Sequence, residues 1–158
     1  MLKKRDEVKK KTFHVSREGK IFIEADEMWT FAGSRENGTW IWLATGRRTG
    51  LAAGCHVGKR DDAGSAALRD SLSEDCKKNG IFFTDGLASY AKAFPADRRR
   101  IVGKGSGKTS HVERLNLIFR QRLSALSRKE LSFSRIMENL TASIWIFICN
   151  HNERILFH

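Results

Sequence analysis

Residues 109–128, TSHVERLNLIFRQRLSALSR, are the stretch on which the fold turns. Val112, Leu115, Phe119, Leu123 and Leu126 recur at spacings of three and four, which predicts a helix with one apolar stripe facing a core. Arg114, Arg120, Gln121, Arg122 and Arg128 cover much of the remainder, and Glu113 is the lone acid among them. Ser110 is a good N-cap, and Ser110-x-x-Glu113 fits a capping box in which the glutamate only reaches back to a backbone N–H. A competing reading looks outward, to Asp26 and Asp85, two acids that short apolar strands would deliver toward the start of this helix.

Upstream, Ile21 to Ala32, IFIEADEMWTFA, is rich in β-branched and aromatic residues and bounded by Gly19 and Gly33, which predicts a first strand. SRENG at 34–38 is turn chemistry. Thr39 to Thr45 follows as a second strand with Trp40 and Trp42 on one face, and Leu51 to Val57 as a third, weaker one. No crossover helix fits in such short links, so the three strands form an antiparallel meander.

Asp61 to Asn79 predicts one helix, acidic in its first turn and basic in its last, as the helix dipole favours. Gly80 stops it, and Ile81 to Thr84 is an apolar strand leading into Asp85-Gly86. The C-terminal end of such a strand is where α/β sheets put their ligands. Leu87 to Phe94 is a short helix ended by Pro95, RRRIV at 98–102 is a basic edge strand, and Leu131 to Asn150 is a last long helix. The order predicts an α/β fold: an antiparallel three-stranded meander, then βα units and flanking helices, compatible with a ribonuclease H-like mixed sheet.

The chain of 158 residues suits one domain, spanning 13–158, after a basic arm at 1–12, MLKKRDEVKKKT, which reads equally as a solvated tail. With 29 Lys+Arg against 18 Asp+Glu, the net charge of +11 points to a polyanionic partner, nucleic acid first. The basic residues do not gather on one amphipathic helix, and the apolar run Ile144 to Cys149 is too short to span a bilayer, which argues against a membrane role. Cys55, Cys76 and Cys149 lie far apart with no C-x-x-C pair; small core hydrophobes with reduced thiols, in the cytoplasm, are expected. Trp29, Trp40, Trp42 and Trp145 are likewise expected in the core rather than as base-stacking platforms.

An ionised Asp26 inside a strand is costly unless paired or bound to a cation, although a wet edge strand would also tolerate it. Glu24 shares its face by alternation and Glu27 takes the other, so either is open as a substitute ligand. Asp85 taken alone is an ordinary Asp-Gly turn residue. Taken together, converging carboxylates repel unless something positive lies between them, and Mg²⁺ suits an all-oxygen set completed by water and phosphate. Two such ions, about 3.5–4 Å apart, serve phosphodiester chemistry. The loop GKGSGKT at 103–109 is not a P-loop, because that spacing needs glycine where Val102 stands. A basic loop touching DNA backbone is expected instead. His111 is expected to be an ordinary helix-start residue.

Asp26 within EADEMW, TDG-x-x-x-Y from Thr84 to Tyr90, HVERLNL-x-x-RQ from His111 to Gln121 and SRK-x-LSFS from Ser127 to Ser134 together resemble the DDE transposases of the insertion-sequence-one family. The resemblance runs from about residue 20 to the C-terminus. It implies a catalytic domain in which Asp26, Asp85 and Glu113 bind divalent metal, Mg²⁺ or Mn²⁺ and two ions, to cut and join transposon ends. Arg114, Asn116, Arg120 and Gln121 match the same block and, with Lys104 and Lys108 of the loop, are the expected DNA contacts. The family's N-terminal zinc-binding segment and helix-turn-helix have no counterpart before residue 20. A catalytic half encoded separately, a product normally fused by frameshifting and a truncated relative stay open, and a separate DNA-binding partner chain is one expectation. Partners are then DNA ends and target, with a homodimer or larger assembly. The alternatives are an inactive or regulatory DNA-binding remnant and a related nuclease that cuts without joining.

Overall fold

The computed structural model describes residues 19–31, 36, 38–103, 105–127 and 136–157. The basic arm at 1–12, Lys104 and the LSFS block at 131–134 lie outside them. Strands β1 (Ile21–Phe31), β2 (Gly38–Gly46) and β3 (Ala52–Gly58) form the expected antiparallel meander. Then come α1 (Asp62–Ser71), α2 (Glu74–Asn79), β4 (Gly80–Thr84), α3 (Ala88–Ala93), β5 (Arg99–Ile101), α4 (Ser110–Ser127) and α5 (Ile136–Phe157). The sheet order is β3-β2-β1-β4-β5, with β4 parallel to β1 and β5 parallel to β4. β1 is therefore the middle strand, although from Ala25 to Phe31, the part that carries Asp26, it pairs with β2 alone, and the basic β5 is an edge.

Helices cover both faces. Met28, Ile41 and Leu43 pack with Val112, Leu115 and Phe119 of α4 and Ile144, Trp145 and Ile148 of α5. On the other face Ile23, Ala25, Trp42 and Phe82 pack with Leu68, Leu72, Cys76, Tyr90 and Phe94. Each large side chain so buried contributes on the order of 1.5–3 kcal/mol, so the period-two strands and the α4 stripe together fix which face each helix covers. No helix among the described residues is long and apolar enough to cross a membrane.

Two helices differ from expectation. The single helix over 61–79 is broken at Leu72, which is extended, and Ser73 caps a second helix by accepting from the Cys76 N–H at 3.3 Å. Local serine hydrogen bonds compete with helix continuation there, while Leu72 stays buried against the sheet. The last helix, described over Ile136–Phe157, runs on past Asn150, because nothing there breaks it and two contacts hold it down, while its expected start at Leu131 lies outside the described residues. Asn152 spans the backbone of Ala52, accepting from its N–H at 2.8 Å and donating to its carbonyl at 2.9 Å, and His151 meets the Gly50 carbonyl at 3.0 Å.

The site is positioned by where β1 and β4 part. They pair from Ile21 and Gly80 up to Glu24 and Phe83. At the same offset Asp26 would oppose Asp85, but β4 ends at Thr84, and a cleft opens between the two acids and the start of α4.

Candidate active site

Strand alternation turns Glu24 and Asp26 toward α4 and Glu27 toward the opposite face, and the three acids end in different chemistry. Glu24 is fully buried. Its Oε2 accepts from the backbone N–H groups of His111 and Val112 at 2.9 and 3.0 Å. Arg47 Nε stands 3.7 Å and His111 Nδ1 3.4 Å from its Oε1. A glutamate from the central strand thus supplies the acceptor that a helix N-terminus needs. The Ser110 capping box, one of the two readings of Glu113, is not formed. Thr109 precedes the helix, and Glu113 accepts from the Thr109 hydroxyl at 2.7 Å rather than from a backbone N–H.

Glu27 is buried by a different set. Arg60 donates Nε and Nη2 to its Oε1 at 3.0 and 2.7 Å, and Tyr90 donates its hydroxyl to Oε2 at 2.8 Å. The Arg60 guanidinium also lies 4.6 Å from the centre of the Trp40 ring. Burial first, then the Glu27 charge, push the Tyr90 hydroxyl well above its usual pKa, so it stays a donor.

Asp26 is the least satisfied. Its Oδ2 accepts one hydrogen bond from Asn116 Nδ2, at 2.7 Å. Burial, then the Glu27 charge and less strongly that of Asp85, push its carboxyl up to about 6, against the Glu27 N–H and the Asn116 amide. Oxygens of Asp26, Glu27 and Asp85 lie within 4.8 Å of one another. Asp85 also accepts from the Leu87 N–H at 2.8 Å, so its role as a turn residue and its place among the acids coexist. Glu113 is exposed and lines the same cavity of about 520 Å³, beside Thr109 and Arg120, but is not within the tight group of three.

The donor set suits a hard dication. It is all carboxylate oxygen, it carries excess negative charge after Arg60 is counted, and the buried Asn116 Oδ1 beside it has no hydrogen-bond partner. Within that group Glu27 is already committed to Arg60 and Tyr90, which leaves Asp26 and Asp85 as the carboxylates able to hold it, with Glu113 on the wall of the same cavity.

Among the expected DNA contacts, Lys108, Arg114, Arg120 and Gln121 are exposed. Lys108 shares a shallow hollow with Arg99 and Arg100, and Arg120 lines the same cavity as the acids. Lys104 lies outside the described residues. Asn116, expected on DNA, is 4% exposed and spends its amide on Asp26. Gly105 and Gly107 take φ of 79° and 70°, turns that glycine adopts without strain. One of the four tryptophans departs from the core. Trp42 and Trp145 are buried and Trp40 is half-buried against the core, but Trp29 is 41% exposed; Trp29 and Trp40 both line the cavity.

Sequence reasoning did not find Arg60, Thr109 or the capping role of Glu24. Tyr90 was visible only as the last residue of TDG-x-x-x-Y. Arg60 carries no local signal, because it meets Glu27 only when the segment after β3, which is separated from β1 by β2, reaches back across the sheet.

A family model described as IS1 transposase matches residues 20–153. The Insertion element iso-IS1n protein InsB of Shigella dysenteriae is 33% identical over 132 residues, 83% of this chain and 96% of that protein. The Insertion element IS1 4 protein InsB of Escherichia coli strain K12 is 32% identical over 118 residues, 75% of this chain and 68% of that protein. The Insertion element IS1 protein InsB of Shigella sonnei is 34% identical over 121 residues, 75% of this chain and 86% of that protein. With both ends of the sheet, the acid cluster and α4 inside the matched span, this chain belongs to the IS1 transposase family, a family of DNA-transposition enzymes.

Proposed function

We propose that this chain is the catalytic unit of a transposase that hydrolyses a phosphodiester at the element's ends and joins the freed 3′-OH to target DNA. The observation that carries the proposal is the meeting of Asp26 and Asp85 at the open end of the β1–β4 pair, with Glu113 on the wall of the same cavity. The strand order β3-β2-β1-β4-β5, with only β1 to β3 antiparallel, supports a ribonuclease H-like sheet. Asp26, Asp85 and Glu113 would hold Mg²⁺ or Mn²⁺, two ions. Such ions activate an attacking oxygen and steady a leaving one.

The chain's own residues then have separable tasks. Asn116 orients Asp26, Thr109 orients Glu113, and Arg60 pairs with Glu27 and offsets part of the charge that it presents to Asp26. Arg120 is set to meet a phosphate in the cavity, while Lys108, Arg114 and Gln121 meet backbone phosphates outside it. In the first step water oxygen bonds to phosphorus, the bond to the 3′ oxygen breaks, and that oxygen leaves with a proton. In the second the 3′-OH attacks a target phosphodiester, so one P–O bond forms as another breaks. Two ends call for two copies, and a homodimer through α5, which exposes Ile146, Leu156 and Phe157, belongs to the proposal.

The test is cleavage and joining on supercoiled plasmid and pre-cut end duplexes with Mg²⁺ or Mn²⁺. Wild type should nick and join, and Asp26→Asn and Asp85→Asn should each lose at least about a hundredfold, the scale of a lost electrostatic element in a site. Activity surviving Asp85→Asn would sink the assignment. Nicking without joining would leave the cutting-only nuclease.

A further inference from the structure

We propose that Trp29 is a stacking platform for an unpaired nucleobase of the DNA strand whose phosphate enters the acid cavity. The inference rests on the proposed reading of that cavity and adds to it the state of the substrate, locally unpaired DNA.

Trp29 lies three residues beyond Asp26 on β1, about 10 Å along the strand, on the half of β1 that has no β4 beside it. Its indole is 41% exposed, whereas Trp42 on the neighbouring strand is fully buried. The ring is also held in place. A Cβ at Gly38 would fall 2.5 Å from Trp29 Nε1 and 2.9 Å from Cε2 and Cζ2, so the indole lies against β2 backbone that only glycine leaves bare. Phe31 flanks it, ring centres 5.4 Å apart. A ring fixed on one side and exposed on the other is a preorganised stacking surface, with little rotamer freedom left to lose on binding.

The neighbours point to a nucleotide as the occupant. Trp40, directly opposite Trp29 in the ladder, already carries the Arg60 guanidinium on its ring, so the indole of Trp29 is the face left for a ligand and Arg60 adds positive charge at the same wall. Asp26 is half-buried in the wall of the cavity. A phosphodiester reaching it must leave the cylinder of a duplex, and the nucleotide attached to it loses its stacked neighbours. Aromatic stacking offsets that loss without reading sequence, since every base has a π-face. The +11 charge of the chain supplies the nonspecific attraction that brings the strand there.

The experiment measures binding by fluorescence anisotropy, without divalent metal. The probes are a labelled mixed-sequence single strand of about 12 nucleotides, within the usual site size, an abasic strand of equal length and a mixed duplex. Wild type should bind the base-bearing strand about tenfold more tightly than the abasic one. Trp29→Leu, which keeps an apolar side chain but no π-face, should abolish that preference and leave duplex binding within about twofold, while Trp29→Phe should retain most of it. Wild type also provides an arm that needs no variant: its tryptophan fluorescence should be quenched by the base-bearing strand and not by the abasic one. Equal binding of the two strands by wild type overturns the proposal and makes the Trp29–Phe31 patch a protein-contact surface. A Trp29→Leu loss as large on duplex as on single strand overturns it too. If nicking of plasmid still depends on Asp85 when the base preference is absent, only this inference falls; if neither is found, the catalytic reading falls with it.

Discussion

At Ile23 and Glu24, β1 is paired with β2 on one side and β4 on the other, and its acid is enclosed; from Ala25 to Phe31 it keeps β2 alone, and its acid faces a cavity. Glu24 and Asp26 stand two residues apart on the same strand face, with the same charge. Glu24 receives two helix N–H groups and a nearby arginine, while Asp26 has the Asn116 amide and the Glu27 N–H against two acidic neighbours. The difference teaches that burial does not by itself mark a functional acid. The informative quantity is how much compensation the fold supplies, and here it supplies it fully to the acid that holds α4 in place and withholds it from the one beside the cavity.

The largest way to break the comparison is Glu24→Ala. It leaves two buried N–H groups of α4 without an acceptor, at about 1–3 kcal/mol each. Urea unfolding should show a loss of about 2–5 kcal/mol; less than 1 kcal/mol would mean that water caps the helix just as well.

Asp26→Asn should act in the opposite direction, stabilising the fold while destroying function. The folded carboxyl is raised to about 6 from 3.8, so the native state holds its proton more tightly than the unfolded chain and ionisation opposes folding. The resulting penalty, on the order of 2–3 kcal/mol, is fully present above about pH 6. It fades as pH falls through 6 and is gone below 3.8. Unfolding curves of wild type and Asp26→Asn in chelator should therefore diverge at pH 7.5, the variant being more stable, and converge near pH 4. Equal stability at pH 7.5 would mean that Asp26 is compensated after all.

The smallest effect on folding is expected at Glu113→Gln. Glu113 is exposed and bonded only to Thr109 in the described contacts, so stability should stay within about 0.5 kcal/mol. Cleavage should nevertheless be lost. Full activity in this variant would pass the third ligand to Glu27 and require Arg60 to release it.

Much of the scaffold was legible from local pattern. The alternating strand IFIEADEMWTF, the short links of the meander, the α4 stripe and the basic edge RRI each depend on neighbours within a few residues, which is the range over which sequence carries backbone preference. Errors arose where two local preferences competed, as at Leu72, or where no stop signal existed, as past Asn150. Asp26 and Asp85 were legible as an acid inside a strand and an acid at a strand's end. Glu113 was legible as the lone acid of a basic helix, but not its partner, because Thr109 and Ser110 are equally good caps and register alone chooses between them.

From its sequence alone this chain had its meander, its stripe-bearing helix, its positive charge and three acids in the segments by which it resembles its family, since periodicity, charge and motif are properties of residues close together in the chain. Only the tertiary structure decided that Glu24 serves α4, that Glu27 belongs to Arg60 and Tyr90, that Asn116 turns inward to Asp26 and that Trp29 faces outward. Those outcomes depend on where β4 stops beside β1 and on how α4 crosses the sheet. They join residues 33 to 90 positions apart, or expose one where a neighbouring strand ends, and no local preference reaches that far.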